Sequence, residues 1–169
     1  MNFKELCEQR YSVRSYKPEA IPQEKLDYIM ECVRLAPSAV NKQPWHFTIY
    51  TNETDKQKIQ QCYGREWIQE APAYIVAYAL TDEAWTRRYD EKNHADIDVT
   101  IAIEHLCLAA AEQGLGTCWV CNFRIQLFRE LFELPENQNP IAIIPIGYPS
   151  QNVVPEKVRK EINEIWTIK

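Results

Sequence analysis

Between Ala36 and Trp45 the chain reads APSAVNKQPW, which places two carboxamides and one hydroxyl between a pair of prolines. Asn41 and Gln43 each present a donor and an acceptor, and Ser38 adds a hydroxyl that rotates to either role. Pro37 and Pro44 restrict the backbone that carries them. Such a loop suits the edge of a planar heterocycle with alternating C=O and N–H groups. Ser, Asn and Pro also build ordinary turns, so the loop gains meaning from a second cluster upstream. Arg10-Tyr11-Ser12-Val13-Arg14 sets two guanidiniums four residues apart with a hydroxyl between them. Guanidinium forks grip phosphate oxygens with paired hydrogen bonds, and a hydroxyl supplies a further donor to the same anion. Lys157, Arg159 and Lys160 form another cationic arm near the far end. Alone, each cluster reads as a solvated surface patch. Together they read as the grip for one ligand, an anionic phosphate joined to a flat, amide-edged ring system.

The elements that must position these residues follow from periodicity. Phe3, Leu6 and Cys7 share one helical face, and Leu26, Ile29, Met30 and Val33 make the stripe of a second helix that follows Ile21 and Pro22 and ends by Ala36. HFTIYT alternates like a strand, and TDKQKIQQCYG reads as a polar surface helix closed by Gly64. REWIQEAP is a short helical segment stopped by Pro72. AYIVAYAL and IAIIPIGY are uniformly apolar and fit buried strands. The span 96–113 predicts a long helix, apolar nearly all round and therefore buried, ending at Gly114. TCWVCNF reads as a strand, RIQLFRELFEL as an amphipathic helix, and the tail after Pro155 as helix and then extended chain. Strands separated by helices on both sides of a sheet give a three-layer α/β/α architecture, and 169 residues with 46% hydrophobic content suit a single domain spanning 1–169.

Composition narrows the function. A formal charge of −5 without a long basic run excludes a general nucleic-acid binder. The apolar stretches fall short of the roughly 20 residues of a membrane span. MNFKELCEQRYS mixes acids and bases from its first turn, so the expected location is cytoplasmic. The six cysteines read as reduced thiols in a chain with enough apolar residue to form a core.

RYSVR followed at this separation by PSAVNKQPW resembles the signature of the flavin mononucleotide (FMN)-dependent nitroreductase family. GLGTCWV with Asn122 and Phe123, and IPIGYP with a downstream Lys157-x-Arg159, are similar to that family's later segments, so the likeness runs through nearly the whole chain. The resemblance implies an α+β fold with a central, mainly antiparallel sheet, and a homodimer with FMN at the subunit interface. It implies ping-pong electron transfer from NADH or NADPH to a nitroaromatic, quinone or similar small acceptor. Carried over position by position, Arg10, Ser12 and Arg14 would hold the ribityl phosphate and the pyrimidine side of the ring, with Tyr11 contributing mainly backbone. Pro37, Ser38, Ala39 and Asn41 would come from the opposite subunit, with Gln43 nearby. Trp119, Val120, Cys121 and Asn122 would pass their backbone near flavin N5, and Lys157 and Arg159 would complete the phosphate pocket. Arg14 or Lys42 would supply positive charge at the pyrimidine edge. The cofactor carries the redox chemistry, so no catalytic side chain and no metal are expected. The chain departs from the family at Cys121 and Asn122, where Gly is common; Asn tolerates a left-handed backbone that would preserve the loop. It is also short for the family, leaving 63–67 and 84–94 to cover a substrate, with Trp166 in the tail.

Two readings compete. Cys118-Trp119-Val120-Cys121 matches CxxC and would make the chain a thiol oxidoreductase, but a redox CxxC opens a helix, whereas this one lies in a β-prone run where residues three apart face opposite sides. A flavin-binding dimer without turnover is the other. Gly114-Leu115-Gly116 follows a helix and precedes a strand, the reverse of a dinucleotide fingerprint. His46, His94 and His105 are scattered, and His94 with Asp96 or Asp98 reads as capping polarity rather than a metal centre.

Overall fold

The computed structural model describes residues 2–151 and 153–169. Its sheet has the order β1 (Trp45–Tyr50), β2 (Ala73–Leu80), β4 (Gln138–Gly147), β3 (Gly116–Thr117), with every pairing antiparallel. Strand β2 is central and sorts its side chains by parity. Ile75, Ala77 and Ala79 join Ile144 and Ile146 of β4 on one face, under α2 (Gln23–Arg34) and α4 (Ala95–Glu112). Tyr74, Val76 and Tyr78 join Ile143 on the other, under α3 (Glu53–Cys62), the 3₁₀ turn Glu66–Glu70 and α5 (Ile125–Leu131). The three-layer arrangement and the mainly antiparallel sheet are thus as expected. Small residues on both partners let α4 settle against the sheet: Ala77 and Ala142 below, Ala102 and Ala110 above, all fully buried.

Helix α1 (Phe3–Gln9) starts on Asn2, whose side chain accepts from the Glu5 N–H at 3.0 Å while the Glu5 carboxylate accepts from the Asn2 N–H at 2.9 Å. It ends at Arg10, where ψ turns to 126° and the chain becomes extended. Ser12 then forms a parallel bridge to Thr117, with the Val13 N–H donating to the Thr117 carbonyl at 2.9 Å. The Arg10–Arg14 segment therefore lies along the β3 edge of the sheet. Gly116 makes this approach possible, because a Cβ there would stand 2.4 Å from Val13 Cγ2.

Several expectations need correction. TCWVCNF is not a continuous strand: β3 stops at Thr117, and only Val120 returns to β4, exchanging two 3.0 Å hydrogen bonds with Ile143. The register is unchanged across the gap, which puts Cys118 opposite Pro145. Pro145 has no N–H to offer, and its carbonyl accepts the buried Tyr16 hydroxyl at 3.3 Å. Gly64 does not close α3 in a left-handed conformation; that helix ends through Tyr63 in extended geometry, whereas Gly114, at φ 75°, does follow α4 in that way. The helix expected in the tail shrinks to α6 (Ile162–Ile165), a single turn with exposed chain on either side.

Candidate functional site

The site residues fall into two groups. The first is built on the β3 edge. In the extended segment Arg10, Ser12 and Arg14 alternate with Tyr11 and Val13; Val13 is buried, while Ser12 and Arg14 are exposed. The segment is zipped to the chain after β4 by Lys17 N–H to the Tyr148 carbonyl (2.8 Å), Ser150 N–H to the Ser15 carbonyl (3.0 Å) and Tyr11 hydroxyl to the Gln151 carbonyl (3.3 Å). This brings the tail back past α1, where Lys157 Nζ donates to the Cys7 carbonyl at 2.6 Å. Arg10, Lys157 and Arg159 consequently form one cationic cluster. Burial and the two neighbouring guanidiniums hold the Lys157 ammonium below its ordinary pKa. Neither Lys157 nor Arg159 is paired with a carboxylate among the described residues, and the only acidic partner of Arg10 there is Glu104 at 4.0 Å.

Arg14 lies apart from that cluster. Its guanidinium stands 6.0 Å from the Trp67 ring, which itself meets Tyr63 edge-on at 5.7 Å. Cys118 lies beside Ser12. The Cys118 thiol is raised in pKa by burial, partly offset by Arg14 and a hydrogen bond from Ser12. Trp119 is anchored by its indole N–H, which donates to Cys107 Sγ at 2.9 Å, and Val120 is pinned to Ile143. Cys121 and Asn122 are exposed, and their backbone N–H groups have no intrachain acceptor among the described residues. Neither has a positive φ, so the left-handed backbone expected at Asn122 is absent and its departure from Gly costs no strain.

The second group is the amide loop. Pro37 and Ser38 follow α2, and a single 3₁₀ turn occupies Ala39–Asn41. Val40, Asn41 and Gln43 all have φ between 50° and 54°. For a β-branched residue such as Val40 this is a genuine outlier, and left-handed non-glycine residues cost about 1–3 kcal/mol each unless their surroundings hold them. The loop bonds densely to itself: Gln43 N–H to Ser38 Oγ (2.8 Å), Asn41 N–H to the Ser38 carbonyl (3.0 Å), and Gln43 Nε2 to Asn41 Oδ1 (3.1 Å). Its carboxamides are therefore fixed against each other before any ligand arrives. One hydrogen bond ties the turn to the core, from the Ala39 N–H to Asp98 Oδ1 at 2.9 Å. Sequence reasoning gave Asp98 no such role; the available signal was an acid one turn before buried Ala102 on a helix that is otherwise apolar there.

No hydrogen bond or ion pair joins the amide loop to the first group among the described residues. The cleft beside Arg10, lined by Tyr11, Val13, Gly116, Thr117 and Gln151, holds ≈ 180 Å³, below the roughly 300–1,000 Å³ of sites that enclose a small molecule. Within one chain the two groups therefore stay separate. The donor chemistry fits a flavin phosphate and ring: a cationic cluster whose only acidic partner among the described residues is Glu104 at 4.0 Å, two free backbone N–H groups and a preorganised pair of amides. Among the described residues there is no group of three or more metal-ligating side chains and no helix long and apolar enough to cross a membrane. Thiol redox chemistry fits poorly, since Cys118 is buried, Cys121 is exposed, and burial pushes both thiols up rather than down.

Comparison with known proteins agrees with this geometry. A crystal structure of a nitroreductase family protein from Clostridium difficile 630 superposes with a TM-score of 0.91 at 36% identity, over 99% of this chain and 98% of that one. A protein of Methanothermobacter thermautotrophicus, provisionally named an NADH dehydrogenase/NAD(P)H nitroreductase, is 31% identical over 163 residues, 90% of this chain and 80% of its own. An FMN-dependent nitroreductase from Clostridium difficile R20291 is similar at 27% identity and a TM-score of 0.76, over 95% of this chain and 92% of that one. The family model described as Nitroreductase family matches residues 7–62 and 54–148, a span that takes in the arginine segment, the amide loop and the β3 edge, and the chain belongs to the nitroreductase family.

Proposed function

We propose that the protein is an FMN-dependent NAD(P)H oxidoreductase that works as a homodimer in the cytoplasm and passes electrons by a ping-pong scheme to a nitroaromatic, quinone or similar small acceptor. The observation that carries this reading is the split site: a cationic cluster with free backbone N–H groups on one edge, and a preorganised amide loop that the same chain does not bring to it. A second copy would supply the missing half. Two further surfaces support dimerisation. A groove of ≈ 660 Å³ between α1, α2 and α4 is lined by Phe3, Leu6, Cys32, Ile101 and Leu108, and the tail exposes Val158, Ile162, Ile165, Trp166 and Ile168. Patches of this kind are rare on monomers.

Bound FMN would supply the hydride and electron chemistry. The chain's own residues bind and orient. Arg10, Lys157 and Arg159 neutralise the phosphate, with the Lys157 ammonium returning toward its ordinary pKa as the anion arrives. Ser12 and Arg14 lie toward the ring, with Arg14 held in place by Trp67. The free N–H groups of Cys121 and Asn122 face the reacting side, while Val120 is locked to β4 so that they do not drift. From the partner, Ser38, Asn41 and Gln43 read the amide edge, with Pro37 and Ala39 carrying them. The test is spectroscopic. Purified protein should take up FMN, turn yellow and lose its visible flavin absorbance with anaerobic NADH or NADPH; sedimentation should report a dimer. A colourless, monomeric protein that takes up no FMN would sink the proposal, and bound flavin that neither nicotinamide reduces would leave a binding dimer in its place.

A further inference from the structure

We infer that Asp98 is the positioning residue of the amide loop, holding Ala39–Gln43 in the conformation, left-handed at Val40, Asn41 and Gln43, that presents Ser38, Asn41 and Gln43 to the flavin. The inference rests on the flavin reading of that loop. Asp98 lies in the first turn of α4 and is 2% exposed. Its Oδ1 accepts from the Ala39 N–H, whereas its Oδ2 is buried with no hydrogen-bond partner among the described residues. Burying a carboxylate that makes one hydrogen bond is costly, and the apolar surroundings of α4 would be served better by a neutral side chain. A buried polar atom left without a partner calls for an explanation, and the geometry supplies one. Three residues of the loop carry positive φ, one of them β-branched and 74% exposed, so nothing packed around Val40 holds it there. The turn's other hydrogen bonds are internal to 38–43, apart from the Trp45 N–H at the start of β1, which donates to the Gln43 carbonyl at 2.8 Å at the loop's far end; the Leu80 N–H reaches only its last proline, Pro44. The single charge-assisted bond to the turn itself comes from Asp98. It fixes the first residue of the 3₁₀ turn, from which the three left-handed positions follow.

The same turn of α4 faces the neighbouring loop. His94, four residues before Asp98, meets Trp85 edge-on at 4.8 Å and takes the Trp85 carbonyl on its backbone N–H at 3.0 Å; its Nε2 is likewise buried without a partner among the described residues. Asp98 therefore holds the ligand-reading loop against the turn that also carries segment 84–94.

Three variants and two readouts test this. Hydrogen exchange on apo protein follows the Ala39 amide with no flavin present, and fluorescence titration measures FMN affinity. Asp98→Ala should speed exchange at Ala39 and its neighbours and weaken FMN binding by about ten- to a hundredfold, the range for a hydrogen bond to a charged acceptor. Asp98→Asn retains an acceptor oxygen but not its charge and should lose clearly less than the alanine variant, no more than about tenfold. Ala39→Pro removes the donor alone, at a position preceded by extended Ser38 (φ −142°, ψ 162°) that tolerates a following proline, and should reproduce Asp98→Ala even where the latter does not fold. Unchanged Ala39 protection and FMN affinity in Asp98→Ala, with unchanged affinity in Ala39→Pro, would overturn the inference, as would an Asp98→Asn protein as defective as the alanine variant. A parent protein that takes up no FMN would instead overturn the flavin reading, with Ala39 exchange still deciding whether Asp98 holds the loop.

Discussion

Gly116→Ala should damage this protein out of proportion to one methyl group. The added Cβ would meet Val13 Cγ2 at 2.4 Å, Val13 Cβ at 2.8 Å and Cγ1 at 3.0 Å. Rotating χ1 of Val13 exchanges its methyls but leaves Cβ in place, so relief has to come from the backbone of Arg10–Arg14 moving off the β3 edge. Overpacking of this kind costs about 1–3 kcal/mol. Loss of glycine's unfolded-state freedom returns roughly 0.4–1 kcal/mol, which leaves a net loss of about 1–2 kcal/mol. At roughly 2–4 °C per kcal/mol for a chain of this size, Tm should fall by about 2–8 °C. Because Val13 is flanked by Ser12 and Arg14, the displacement should also cost at least one charge-assisted contact to the phosphate or ring, weakening FMN binding by about tenfold or more.

The assay is a pair of melting curves with and without FMN, beside an FMN titration. Gly64→Ala is the control: the same chemical change, with no atom within 4 Å of the new Cβ, should move Tm by no more than the roughly 0.5 kcal/mol equivalent of an ordinary surface substitution. Val13→Ala removes both offending methyls and leaves only the Cβ contact at 2.8 Å, so the double variant Val13→Ala, Gly116→Ala should cost less than the sum of the singles. A Gly116→Ala protein that melts and binds FMN like the parent, or a double variant whose losses simply add, would refute the steric argument.

Lys157→Met should weaken FMN binding by about tenfold or more while leaving the apo fold no less stable, since desolvation, and then Arg10 and Arg159, put the ammonium at an energetic disadvantage. The sign follows from its lowered pKa. Apo protein binds fewer protons at Lys157 than the unfolded chain does between the folded and unfolded pKa values, so its stability rises with pH across that window. FMN, by favouring the charged form, should draw a proton onto Lys157, and affinity should fall as pH climbs into the same window; calorimetry in buffers of different ionisation enthalpy reads that proton, and a pH-independent affinity lost equally by Lys157→Met would contradict it. Among the thiols, exposed Cys7 and Cys121 should take an alkylating reagent first at neutral pH. Cys62 and Cys107, pushed up to about 11 mainly by burial, should stay unlabelled until the fold opens, and Cys118→Ser should keep NAD(P)H-driven turnover; its loss would revive thiol chemistry.

What the sequence made legible was chemistry and alternation. Alternation in HFTIYT marked β1, the uniform apolarity of AYIVAYAL marked β2 as a buried strand, and the residue types in RYSVR, PSAVNKQPW and Lys157-Val158-Arg159 suggested a ligand with a phosphate and an amide-edged ring. What it hid depends on neighbours distant in the chain. The gap between Thr117 and Val120 is caused by Pro145, which arrives from β4; Thr117, Trp119 and Val120 are all strand formers, and propensity does not report a missing donor across the ladder. The left-handed residues are equally silent, since Val40 is among the types least suited to positive φ, and only tertiary anchoring accounts for them.

These two surprises have a common physical form. At Pro145 a strand pairing is given up, and at Val40 a backbone preference is given up; each concession falls beside a segment of the proposed site. Beyond Val120 the pairing with β4 does not resume, and the Cys121 and Asn122 N–H groups stay unspent among the described residues. The strain at Val40, Asn41 and Gln43 likewise fixes two carboxamides in one orientation, so less ordering remains to be done when a ligand binds. Local rules fail where the chain keeps polar groups free or held for a partner that is not part of the chain itself. That pattern separates Asp98 from the other buried groups of α4: the alanines and leucines obey the helix's apolar pattern and account for packing, whereas Asp98 breaks it and is joined by its one hydrogen bond to the most strained segment of the molecule.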